Sequence, residues 1–243
     1  MRVRDRVQSL PPLWRAILPG VVLVIAGTWA FVGILDAVLE RNDISSWDQP
    51  LLNWMVSMRT PWLTDVLTFI TNAFGPVILP ILVGIACVGW ALVTKNWRGP
   101  VLLVSAMVMS TVLSSVVKLV VQRGRPDDSL QVVPGFETSF SFPSGHTTGA
   151  ATLVLVTGYL FWRNRRGKRL FAAWMAFSVL IVLLVGTSRL YLGYHFLSDV
   201  MAGACLGVVT LGLVMVASNL RRLRAASAVP DGASAATRFK DER

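Results

Sequence analysis

The feature that most constrains this chain is a series of long apolar runs separated by short segments that hold most of the Lys, Arg, Asp and Glu. About 20 helical residues span the ~30 Å hydrocarbon core of a bilayer. In lipid the backbone must satisfy its own hydrogen bonds, so such runs fold as helices. Six candidate spans follow: 17–39, a second that begins after Trp62 and ends near Val93, 100–121, 147–162, 170–187 and 196–217. The expected fold class is all-α, a polytopic membrane protein with six transmembrane helices. Three regions are expected: a basic N-terminus over 1–16, a six-helix membrane domain over 17–220, and a disordered basic tail over 221–243, rich in Ala, Ser and Gly.

The second run is too long for one straight crossing. Gly75-Pro76 predicts a kink within it, and Thr60-Pro61 a helix start with Pro in the first helical position. Before it, residues 48–58 predict a short helix on the membrane surface, with Trp47, Trp54 and Trp62 in the interfacial belt. The first span is longer than a signal-peptide core and is expected to be retained.

Only 15% of the residues are charged, against about 25% in soluble domains. That excludes an ordinary soluble globule and a disordered chain. The net charge is +10, which raises nucleic acid as a partner. Its distribution answers the point: 17 of the 23 Lys and Arg fall in the termini and the loops after spans two and four, and six on the other side. The positive-inside rule then puts both termini in the cytoplasm of a multi-pass cell-membrane protein. Nucleic acid is not needed to explain the basic excess. Cys87 and Cys205 sit in apolar runs and read as small apolar residues.

Three polar clusters fall on the predicted outer side. In the first, Lys118 and Arg125 are seven residues apart, just before Pro126. A helix would put them on one face two turns apart, as an anion site; the alternative is two side chains snorkelling to the interface. Arg123 lacks that phase relation and reads as interfacial. The second cluster, Pro143-Ser144-Gly145-His146, opens the fourth span. Ser144 suits an N-cap, Gly145 allows close backbone approach, and a helix N-terminus favours an anion next to His146; a plain helix start is the competing reading. The third holds Ser188-Arg189 and then His195 and Asp199, four apart. If the last span begins near His195, the two share a face, and the carboxylate can orient the imidazole as a nucleophile or base; a structural His–Asp pair is the alternative. Three cations, a helix N-terminus, two histidines and a carboxylate on one side suit phosphoryl transfer, with cations in the charge-neutralising role. No cluster has metal-ligand spacing, so no metal or other cofactor is expected.

Lys-x6-Arg-Pro, Pro-Ser-Gly-His and Ser-Arg-x5-His-x3-Asp, complete and in this order over residues 118–199, resemble the type 2 phosphatidic acid phosphatase (PAP2) superfamily. The resemblance implies a bundle of that kind and a role for each residue. His195 would be the nucleophile that forms a phosphohistidine, Asp199 would orient it, and His146 would protonate the leaving oxygen and then help activate water. Lys118, Arg125, Ser144, Gly145 and Arg189 would hold the phosphate. The implied activity is metal-independent hydrolysis of a lipid phosphate or diphosphate (phosphatidate, phosphatidylglycerophosphate or a polyprenyl diphosphate such as undecaprenyl diphosphate) at the outer face of a bacterial membrane. A lipid-linked phosphotransferase on the same scaffold and a non-catalytic anion or lipid-phosphate transporter are the rival readings.

Overall fold

The computed structural model describes residues 11–133, 135, 137–163 and 167–227. Its regular elements are all helical: α1 (Pro12–Glu40), α2 (Asp48–Ser57), α3 (Pro61–Ala73), α4 (Ile78–Thr94), α5 (Arg98–Val121), α6 (Gly145–Trp162), α7 (Lys168–Tyr191) and α8 (Leu197–Ser227), with short 3-10 turns at Asp43–Trp47 and Asp128–Leu130. Pro61 stands at the start of α3, where its missing N–H removes no helical hydrogen bond. The expected kink is a break: α3 and α4 meet at Phe74–Val77 and bend by 55°.

Four helices (α1, α5, α7 and α8) are long and apolar enough to cross a membrane, and α3 with α4 makes a fifth if the bent pair counts as one span. The expected fourth span, α6, is not among them. Its 18 residues include four threonines and three glycines, and half of them are buried against α5, α7 and α8. A helix wrapped by protein needs less hydropathy than one facing lipid. The outer helices show the converse pattern, with Trp29, Phe69, Val93 and Leu183 exposed; so much apolar surface suits a lipid environment. Trp47, Trp54 and Trp62 are exposed near α2 and α3, as expected of an interfacial belt.

Small residues let the backbones close. A Cβ on Gly20 would lie 2.8 Å from the Gly212 carbonyl oxygen, and one on Gly207 would lie 2.4 Å from the Ala151 Cβ. Close packing of this kind substitutes for the hydrophobic driving force that is missing between helices in lipid. Thus α8 runs between α1 and α6, the two helices it contacts most. It extends to Ser227, past the expected end of the membrane domain at 220, and α1 begins at Pro12, ahead of residue 17. The rest of the expected tail and most of the N-terminal segment lie outside the described residues.

Candidate active site

The three clusters converge at one end of the bundle. The C-terminal ends of α5 and α7, the N-terminal end of α6 and the residues just before α8 face a cavity of about 1010 Å³. Lys118, Arg125, Gly145, His146, Arg189 and His195 all line it. Its walls are mostly apolar side chains of α4 and α5, among them Val83, Val104 and Val108, while α3 contributes Thr68, Thr71 and Asn72. Ser144 and Asp199 sit just behind it and are fully buried.

His195 precedes α8; the helix starts at Leu197, so the expected shared helical face with Asp199 is not what joins them. The Asp199 carboxylate turns back over the first turn instead. Its Oδ2 accepts the Phe196 N–H at 2.9 Å and lies 3.3 Å from His195 Nδ1. This is the reciprocal half of a capping box. His195 Nε2 is thereby left facing the cavity, 3.3 Å from an Arg125 terminal nitrogen and 3.9 Å from a Glu137 oxygen. Burial first, and then Arg189 and Arg125, hold the His195 imidazolium well below its ordinary range, so the ring is neutral at neutral pH.

Lys118 and Arg125 reach the cavity by a route that differs from the predicted one. α5 ends at Val121, and Gln122 takes a left-handed conformation (φ 50°), so Arg125 stands on the loop beyond the helix and not two turns along it. Lys118 donates to the Phe140 carbonyl oxygen and, at 3.4 Å, to that of Ser141. Arg125 donates to the Ser139 and Tyr194 carbonyl oxygens at 2.7 and 2.8 Å. Arg189 is 1% exposed. It donates to Thr71 Oγ1 at 2.9 Å, its guanidinium lies 4.7 Å from the Tyr194 ring centroid, and its buried Nε has no partner. Ser144 occupies the N-cap position of α6, but its hydroxyl caps no backbone N–H; it accepts from Thr147 Oγ1 at 3.2 Å. The Ser144 N–H donates to the Asp199 carbonyl oxygen at 2.9 Å, which ties the second cluster to the third. Nothing lies within 4 Å of a Cβ built on Gly145, so the space in front of the α6 N-terminus is open.

Gly193 explains how the α7–α8 turn is so tight. Its φ is +80°, and a Cβ there would lie 2.0 Å from the Leu130 carbonyl oxygen. Only glycine fits both the conformation and the space. Arg59 closes the same corner by donating to the Tyr191 and Leu130 carbonyl oxygens.

Three residues at the site were not anticipated. Glu137 bridges the two guanidiniums: one oxygen lies 2.7 Å from Arg125 and the other accepts from Arg189. Burial pushes its carboxyl up, but Arg189 and its other positive neighbours outweigh burial and hold it below the usual carboxylate range. Arg123 is a correction to its interfacial reading. It pairs with Asp199 Oδ1 and with Asp48 Oδ2, both at 2.7 Å. Asp48 begins the helix expected on the membrane surface, yet it is 3% exposed. Glu137 shares its loop with Asp127 and Asp128, which lie nearer the cationic motif, so sequence position did not single it out. Helical phase gave no signal for Arg123 and Asp48, which are 75 residues apart. Among the described residues, no group of three or more His, Cys, Asp or Glu is placed to hold a metal.

The fold and the site together define an integral-membrane, all-helical protein with an anion pocket of clustered cations and an oriented imidazole. Residues 99–223 match the family model described as the PAP2 superfamily, and the chain belongs to that superfamily. It is 35% identical over 191 residues to phosphatidylglycerophosphatase B of Bacillus subtilis (strain 168), covering 76% of this chain and 89% of the relative. It is 33% identical over 112 residues to undecaprenyl-diphosphatase of Sulfolobus acidocaldarius, 43% of this chain and 48% of that one. The crystal structure of a transmembrane PAP2-type phosphatidylglycerolphosphate phosphatase from Bacillus subtilis superposes with a TM-score of 0.70 at 31% identity, over 79% of this chain and 93% of that one. The chain is a phosphatase of the membrane.

Proposed function

We propose that the protein hydrolyses a lipid phosphate or diphosphate at the outer face of a bacterial membrane, through a phosphohistidine on His195. One observation carries this reading: His195 presents Nε2 to the place where Arg125 and Arg189 clasp a carboxylate, while Nδ1 faces Asp199. A phosphate that takes the place of that carboxylate on the guanidiniums comes within reach of the neutral nitrogen.

The neutral Nε2 attacks phosphorus. An N–P bond forms and the P–O bond to the lipid breaks. The bound phosphate brings the negative charge that lets His146 carry a proton among these cations, and His146 gives that proton to the leaving oxygen. Lys118, Arg125, Arg189 and the backbone at Gly145 hold the equatorial oxygens, where charge is spread in the transition state, and Ser144, buried behind the cavity, positions that backbone. Asp199 stabilises the positive charge that appears on His195. Water then attacks phosphorus, His146 takes its proton, and the N–P bond breaks to release inorganic phosphate. No metal enters any step.

The apolar walls of the cavity support a lipid substrate, since acyl or prenyl chains can stay against α4 and α5 while the headgroup reaches the cations. The similarity to phosphatidylglycerophosphatase B and to undecaprenyl-diphosphatase supports the same substrate class. Six crossings follow if the bent α3–α4 pair and the protein-wrapped α6 each count as one. The basic excess at the opposite end supports cytoplasmic termini and an exterior site.

The test is phosphate release by purified protein in detergent with chelator present, against a panel of lipid phosphates and diphosphates. Wild type is expected to release phosphate. His195→Ala is expected to lower release by at least three orders of magnitude (~10³-fold), as loss of a covalent nucleophile does. Activity of His195→Ala within tenfold of wild type would sink the assignment.

A further inference from the structure

Behind the cation-lined pocket lies an ionic network of which the proposed reaction uses only Asp199. Arg123 is its centre. One terminal nitrogen donates to Asp199 Oδ1 at 2.7 Å and to Ser198 Oγ at 2.6 Å; the other donates to Asp48 Oδ2 at 2.7 Å. Asp48 in turn accepts the Ser198 N–H at 2.9 Å and the Ser198 hydroxyl at 2.6 Å. It thus caps α8 from another helix, where a carboxylate is favoured by the helix dipole. The Phe196 ring covers the guanidinium, 4.4 Å from its centroid. The side chains of Asp199 and Asp48 are 0% and 5% exposed, and that of Arg123 is 18% exposed.

Arg123 does not line the catalytic cavity, although Lys118 and Arg125 on either side of it do. Its charge is directed at carboxylates and away from the phosphate seat. Asp199 is a fully buried acid facing an imidazole at 3.3 Å, and a buried carboxylate with no cation near it would take up a proton. A protonated Asp199 can neither orient His195 by accepting from Nδ1–H nor offset the positive charge formed during attack.

We propose that Arg123, anchored by Asp48, is a positioning residue of the reaction: it keeps Asp199 ionised and fixes the carboxylate, and through it the attack angle of His195. Asp48 thereby makes the surface helix α2 a structural part of the catalytic apparatus. This inference rests on the proposed phosphohistidine chemistry and goes beyond the family's three motifs.

The experiment compares wild type, Arg123→Met, Arg123→Lys and Asp48→Asn, each purified in detergent, for kcat, KM and the pH dependence of kcat/KM. His195→Ala serves as the dead control. A misplacement of about 1 Å costs on the order of 100-fold in rate. Arg123→Met is therefore expected to lose about 100-fold in kcat, with KM within about threefold because Arg123 does not touch phosphate. The acid limb of the profile is expected to lie below pH 6.5 in wild type and to move up in Arg123→Met. The sign follows from the pair itself: without the guanidinium 2.7 Å away, the buried Asp199 carboxylate takes up a proton more readily, and its ionised form is needed. Arg123→Lys restores charge without the fork that bridges two carboxylates, so it should return the acid limb while recovering kcat only in part. Asp48→Asn, which keeps shape and α8 capping geometry, decides the matter if Arg123→Met fails to fold, and should lower kcat with KM unchanged.

Three results would overturn the inference: kcat within threefold of wild type in Arg123→Met, or in Asp48→Asn if Arg123→Met does not fold; a raised KM at unchanged kcat, which would make Arg123 a phosphate ligand; or a lowered kcat with an unmoved acid limb, which would make the network structural only. If wild type releases no phosphate from any lipid, the proposed function fails before this comparison begins.

Discussion

Glu137 is the residue whose chemistry is least apparent from the motifs. Its carboxylate sits on Arg125 and Arg189, the two guanidiniums proposed for the phosphate. An incoming phosphate must displace this internal anion or share the cations with it. The isosteric Glu137→Gln removes the competing charge and keeps the volume. Inhibition by orthovanadate, a mimic of the trigonal-bipyramidal transition state, is expected to tighten about tenfold in that variant, or ~1.4 kcal/mol. Unchanged or weaker inhibition would show that the carboxylate does not compete for the seat. Arg189 and Arg125 were legible as cations, but their counter-ion was not. Glu137 lies in an irregular loop, where no periodicity says which way a side chain points.

Among the helices, the junction of α6 with α8 holds the chemistry together. The Ser144 N–H to Asp199 carbonyl hydrogen bond joins the two N-termini, and Gly203 lets them approach. A Cβ at Gly203 would lie 2.7 Å from the Ser144 carbonyl oxygen and 3.1 Å from Thr148 Oγ1. Gly203→Ala is therefore expected to destabilise the protein by about 1–3 kcal/mol, in the range for overpacking, and to lower kcat by parting Ser144 from Asp199. Gly89→Ala, on α4 with nothing within 4 Å of the new Cβ, is the control and should leave the thermal unfolding midpoint in detergent nearly unchanged. Equal midpoints for the two variants would remove the close-approach argument. At this scale the sequence reading located the helices by hydropathy but misjudged two junctions. It ran helical phase from Lys118 on to Arg125 and, conditionally, from His195 to Asp199, because phase along a sequence carries no mark of the left-handed turn at Gln122 or of the helix start at Leu197.

For the whole molecule, lipid access and orientation in the membrane each have a direct test. The cavity between α3, α4 and α5 offers a path from the bilayer. Val108 lines it and is exposed. Val108→Trp is expected to raise KM about tenfold for a long-chain lipid phosphate (roughly one large side chain of lost apolar contact) and to leave hydrolysis of a short water-soluble phosphate ester unaffected. An equal loss on both substrates would argue against chain entry there. Gly135 is exposed on the loop between α5 and α6, on the side of the site. A cysteine placed there should react with a membrane-impermeant reagent in intact cells. Labelling only after permeabilisation would reverse the proposed orientation.

Local pattern determined the all-helical class, the apolar spans and the eight motif residues, six of which line one cavity, because hydropathy and short-range spacing are written along the chain. Chain-local information also placed the breaks at Pro61 and Gly75-Pro76. Only the tertiary structure decided that α6 is wrapped by protein, that Glu137 pairs with Arg125 and Arg189, and that Arg123 joins Asp48 to Asp199. Each of these depends on which side chains meet across helices far apart in sequence. A buried charge is tolerated only where such a partner exists, and no local rule along the chain names that partner.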